Sequence, residues 1–180
     1  MAKRDKTNIT LGSGKIYLTP YTDTVPTVET LCVAENLLGY IQGGASLEYT
    51  EEPYEEKDDL GLVTKVITTS EEALLKCGLI TWNGTTLQKL IDRCSVTEAS
   101  GKRTVKIGGA GNAQGKNYAI CFHHEDKTDG DLWILIVGRN TAGATLTFAK
   151  DAGSKIEPEF KALPQDENGT LVQLIEELSE

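Results

Sequence analysis

Residues 15–19, Lys15-Ile-Tyr-Leu-Thr19, read as a short strand ended by Pro20, and the Thr/Pro-rich stretch 21–30 behaves as a loop. Over residues 40–54 the chain is extended, with Ala45, Leu47 and Tyr49 on one parity and Ser46, Glu48 and Thr50 on the other. That alternation predicts a strand with one wet face. An acidic segment over 48–59 follows, and residues 62–68 resume strand character, so the two strands and their connection form a long hairpin or protruding loop. Residues 72–82 are ambiguous. Glu71-Glu72-Ala-Leu-Leu-Lys76 suits a helix, whereas Leu75, Cys77, Leu79 and Thr81 alternate with Lys76, Gly78 and Ile80, and Gly78 with the β-branched residues after it favours a strand.

Leu87, Leu90, Ile91 and Cys94 stand at i, i+3, i+4 and i+7, which predicts a helix whose apolar stripe lies across a sheet. Thr85 and Gln88 have capping-box spacing, and Lys89 and Arg93 sit toward the negative end of the helix dipole. Beyond a Gly/Asn-rich loop at 108–117, strands are expected at 118–122, 132–137, 145–149 and 156–163, separated by Gly-containing turns. Asn168-Gly169 marks a tight turn that returns residues 171–175 onto 156–163 as a last hairpin. The sum is a mainly β chain, a β-sandwich or barrel of about eight strands with one flanking α-helix. It forms a single domain over 14–180, preceded by a polar, flexible arm at 1–13.

Composition supports this class. The 180 residues are 39% apolar, enough for one core, and 21 threonines and 18 glycines against a single methionine favour pleated surfaces and turns. The longest apolar run, 132–137, is far short of a membrane helix, and no apolar signal core follows the first residues, so neither membrane insertion nor secretion is expected. With 18 Lys and Arg against 27 Asp and Glu the net charge is -9, which argues against a surface that grips nucleic-acid phosphates. Cys32, Cys77, Cys94 and Cys121 show no paired C-x-x-C spacing and are expected as reduced core or half-core residues.

Candidate chemistry is sparse. Gly12-Ser-Gly-Lys15 and the glycine-rich run 108–116 resemble phosphate loops only superficially, because the required glycines and the hydroxyl residue after the lysine are missing in both. His123-His124-Glu125-Asp126 gathers metal-capable side chains, but neighbours on a strand point to opposite faces. No G-x-S-x-G motif supplies a nucleophile. Trp82 and Trp133 are expected to pack in the core rather than to stack on a sugar. Asn8, Asn83 and Asn168 occupy sequons that carry no meaning without secretion. No catalytic residue, metal or cofactor is expected.

The order of Lys15-Ile-Tyr-Leu-Thr19, Gly39-Tyr-Ile-Gln-Gly-Gly-Ala-Ser-Leu-Glu48, the acidic hairpin, Leu79-Ile-Thr-Trp-Asn83 before Leu87-Gln-Lys-Leu90, and Ile156-Glu-Pro-Glu-Phe-Lys-Ala-Leu-Pro164 before Asn168-Gly169 resembles the tail tube (major tail) proteins of long-tailed bacteriophages. The resemblance implies a non-enzymatic virion subunit, assembled in the host bacterial cytoplasm, whose hexameric rings stack into a hollow conduit for genome DNA. It also implies, as partners, further copies of the chain, a tape-measure protein, a tail terminator, distal tail or baseplate proteins, and DNA that passes without tight binding. Ring contacts are expected from the terminal arms and from a self-assembly loop carrying Tyr49, Glu51, Glu52, Tyr54, Glu55, Glu56, Asp58 and Asp59, disordered in the monomer and ordered in the tube. The basic groups Lys3, Arg4, Lys6 and, just beyond the arm, Lys15 can meet such acidic patches. Another phage tail or injection-apparatus β subunit, such as a tail terminator or contractile-system inner tube protein, and a monomeric ligand-binding β domain stand as alternatives.

Overall fold

The computed structural model describes residues 4, 7 and 9–178. Its strands are β1 (Lys15–Pro20), β2 (Leu37–Lys57), β3 (Thr64–Leu79), β4 (Cys94–Ala99), β5 (Lys102–Ile107), β6 (Tyr118–His124), β7 (Leu132–Asn140), β8 (Glu159–Leu163) and β9 (Val172–Glu176). Two short helices, α1 (Val28–Leu31) and α2 (Gly84–Leu90), interrupt them.

The main sheet closes on itself. Antiparallel pairing runs β6-β1-β2-β3-β8-β7, and a further β6–β7 ladder joins the two ends, so six strands form a barrel. Alternation explains its inside and outside. Ile16 and Leu18, Leu75 and Leu79, Ile120 and Phe122, Ile136, and Phe160 and Ala162 fill one interior cluster. The intervening Tyr17, Ala119, Cys121 and Leu135 form a second cluster on the outer wall, covered by Val28 and Leu31 of α1. The stretch read as a plain loop therefore contains a helical turn, because Val28 and Leu31, three apart, both reach this outer patch. At the β7–β8 seam a Cβ on Gly138 would lie 1.9 Å from the Lys161 carbonyl oxygen, so only glycine lets those two backbones close the barrel.

The helix differs from its expected extent. Asn83, not Thr85, is the N-cap: its side chain accepts from the Thr85 and Thr86 backbone N–H groups, and the Thr86 hydroxyl completes the box. Ile91 is already extended, and the Arg93 carbonyl accepts from the Gly108 N–H, which draws the chain away from helical pairing. Cys94 thus opens β4 rather than the helix's last turn. Leu87 and Leu90 belong to the interior cluster. The flanking helix consequently sits across the barrel mouth where β2 begins and β7 ends, with Thr86 hydrogen-bonded to the Leu38 carbonyl and Asn140 to that of Leu90.

Three strand assignments change. The hairpin β4–β5 is a separate two-stranded sheet that the hydrophobic pattern did not reveal. Residues 145–149 form no ladder; Leu146 packs against the core, while Phe148 stays exposed with its ring edge toward Trp82. The final strand β9 pairs with β7, Leu132↔Glu176 to Ile136↔Val172, and not with residues 156–163. On that same edge of β7, β8 takes residues 137–140, so β8 and β9 lie end to end along one strand.

Candidate assembly surface

Beyond the barrel, β2 and β3 continue as a free two-stranded ribbon. The last β3–β8 pair is Leu74↔Lys161, whereas the β2–β3 ladder runs on from Tyr49↔Ala73 to Lys57↔Thr64. From Glu51↔Glu71 outward, seven residues of β2 at about 3.3 Å each make a projection roughly 23 Å long. Every residue from 48 to 71 is exposed. Residues 49–57 are thus paired strand rather than a disordered connection, and the turn itself is confined to 58–63. Thr64, Val66 and Ile67 on β3 supply the β-branched partners that make this possible.

The ladder sorts the eight expected residues onto two faces and a tip. Tyr49, Glu51 and Glu55 share one face, together with Glu71 across from Glu51. The Tyr49 hydroxyl lies 2.6 Å from Glu71 and 2.9 Å from Glu51. A phenol has one proton, so it serves one carboxylate while its oxygen faces the other. The two carboxylates, Glu71 first, hold the Tyr49 hydroxyl far above its ordinary pKa. Glu55 pairs with Lys57 at 3.0 Å. On the opposite face Tyr54 hydrogen-bonds Glu56, and Ser70 donates to Glu52 at 2.7 Å.

At the tip, Asp58 accepts from the Val63 and Leu60 backbone N–H groups, which lowers its pKa. Asp59 is exposed beside it. Leu60, Leu62 and Val63 are 80%, 79% and 69% exposed, so an acidic shaft ends in an apolar point. Glu71 and these apolar residues escaped the sequence reading: Glu71 lies twenty residues from Glu51, and only the register brings the two together.

The remaining candidates have local duties. Gln114, from the glycine-rich run, donates to the Gln88 and Cys94 carbonyls at 2.8 and 3.0 Å, closing the open C-terminal end of α2. His123 and His124 do face opposite ways. His123 stacks on Trp133 with ring centroids 5.0 Å apart and bonds Asp131 at 2.8 Å, while His124 is buried with Nδ1 2.8 Å from the Ser13 carbonyl. Trp82 is half-buried, its indole N–H donating to the Ser154 carbonyl at 3.3 Å. The four cysteines are free, and burial pushes Cys77 up to about 12.

Residues 1–3, 5, 6 and 8 of the expected arm lie outside the described residues. Arg4, which is described, donates to the Gly130 carbonyl at 2.8 Å beside Asp126, and Lys15 pairs with Glu125. Both cations therefore serve the barrel's own β6–β7 turn rather than the ribbon. Among the described residues no helix is long and apolar enough to cross a membrane. No family model matches the chain, and no match is found among curated proteins.

Proposed function

We propose that this chain is a structural subunit of the bacteriophage tail-tube type, which joins copies of itself into stacked hexameric rings enclosing a conduit for DNA. The observation that carries the reading is the β2–β3 ribbon: beyond Glu51↔Glu71 it projects roughly 23 Å, neither of its outer edges pairs with another described strand, and its tip is apolar. Such a surface has no role in holding its own barrel together, and exposed edges with apolar side chains are templates for another chain. A net charge of -9 fits a wall that repels phosphates and lets DNA slide. The tape-measure, terminator and distal tail proteins would set length and ends, because head-to-tail stacking is a heterologous contact with no closure of its own.

Negative-stain electron microscopy over a concentration series, with light-scattering mass alongside, tests this. Hollow tubes or stacked rings are the expected result. Single rings that never stack would favour a terminator-like subunit, and a monomer at the highest soluble concentration that binds a small ligand saturably would overturn the reading.

A further inference from the structure

The β4–β5 hairpin has two unlike faces. Register sets Cys94, Val96 and Glu98 against Ile107, Val105 and Arg103. Cys94 is buried, Val105 packs on the barrel's interior cluster, and Arg103 is neutralised by Glu98 at 2.6 Å. The other face carries Ser95, Thr97 and Ala99 against Lys106, Thr104 and Lys102. Lys102 and Lys106 are exposed, and among the described residues neither has a carboxylate partner.

The ribbon offers the complementary pattern. Residues 48–72 hold nine carboxylates against Lys57 and Lys65. On one ribbon face Glu51 and Glu71 oppose each other across the ladder with a single phenol proton between them, an arrangement that like-charge repulsion disfavours and a cation relieves. Spacing also agrees: Glu51 and Glu55 are four residues apart on β2, Lys102 and Lys106 four apart on β5, and each pair spans about 13 Å along a strand. The exposed Glu55–Lys57 contact is weak enough to exchange.

The two surfaces belong to opposite ends of the molecule. The hairpin packs on α2 at the mouth where β3 ends at Leu79, whereas the ribbon leaves at the far end of the same strand, eight residues or roughly 26 Å beyond at Glu71. One copy cannot join them within itself. Resting on the self-assembly reading above, we infer that the Tyr49/Glu51/Glu55/Glu71 face of the ribbon docks on the Lys102/Lys106 face of the β4–β5 hairpin of a second copy. A negatively charged nucleic acid is a poor occupant for two lysines on a chain of net charge -9. A second copy supplies the acid at matching spacing, and an end-to-end contact of this kind propagates.

The test uses two full-length variants, Glu51→Lys with Glu71→Lys, and Lys102→Glu with Lys106→Glu, each checked for native circular dichroism and followed by sedimentation. The expected result is a loss of assembly, roughly tenfold or more in the concentration needed, for either variant alone. Mixed in equal amounts they should co-assemble, since the lysine ribbon of one meets the glutamate hairpin of the other. Wild-type assembly should also weaken as salt rises. If the wild type polymerises and both variants do so at the same concentration, this docking is overturned and the self-assembly reading stands. If the wild type stays monomeric at every concentration and salt, both fall.

Discussion

The barrel and the ribbon are made from the same two strands, yet they are held by different physics. Within the barrel, β3 buries Ala73, Leu75, Cys77 and Leu79 against five other strands and α2. A few residues earlier the same strand carries Val66 and Ile67 at 58% and 48% exposure, with only the β2 ladder beside it. An isolated two-stranded ribbon is marginal in water. Its order rests on anchorage in the barrel below and on local contacts such as the Asp58 turn, with little burial of its own.

The largest predicted contrast is between core deletions in the two regions. Phe160→Ala, in the sealed interior, should cost about 3–5 kcal/mol in urea unfolding, while Ile67→Ala in the ribbon should change monomer stability by less than about 0.5 kcal/mol. Comparable losses at both sites would abolish the distinction. Next, Asn83→Ala should cost about 1 kcal/mol through the lost α2 cap, with Asn83→Asp retaining most of it, both read as denaturation midpoints.

Charge reversal at Glu51, Glu52, Glu55 and Glu56 together should leave the unfolding midpoint nearly unchanged and hinder assembly, measured as light-scattering growth. Equal growth rates with equal monomer stability would make these four carboxylates a solvated face. The smallest effect belongs to acid. Asp58 has its pKa lowered by the Val63 N–H, so its support for the turn is present above the ordinary value of 3.8 and is lost as pH falls through the lowered one. Nuclear magnetic resonance should show the Leu60 and Val63 amides shifting over that acid range before the barrel amides, and Asp58→Asn should remove the shift.

How far the sequence foretold these regions depends on whether a partner was local. Strands β1, β6 and β7 were legible because each is a short apolar run bounded by turn residues, buried on the barrel interior and, at Tyr17, Ala119, Cys121 and Leu135, on the outer wall as well. Partner choice was not: Asn168-Gly169 makes a turn before β9, but which edge β9 joins depends on β8 already filling residues 137–140 of β7. The β4–β5 hairpin was hidden because Cys94 completes the helical stripe of Leu87, Leu90 and Ile91, and the rest of it is polar and half exposed. In the ribbon the carboxylates were plain from composition. Their sorting into faces was not, because the irregularity between Glu52 and Pro53 shifts β3 by one residue and moves Val66 and Ile67 relative to Glu71.

The barrel's seam has a consequence in time. β8 is both the partner of β3 and the partner of β7, so the wall cannot close until residues near 160 have been synthesised. The β2–β3 hairpin, whose ends are close in sequence, can zip before then, since local ladders form faster than distant ones. A growing chain therefore carries its projection ahead of its finished body, and the dense negative charge along that projection repels the like-charged projection of another unfinished chain.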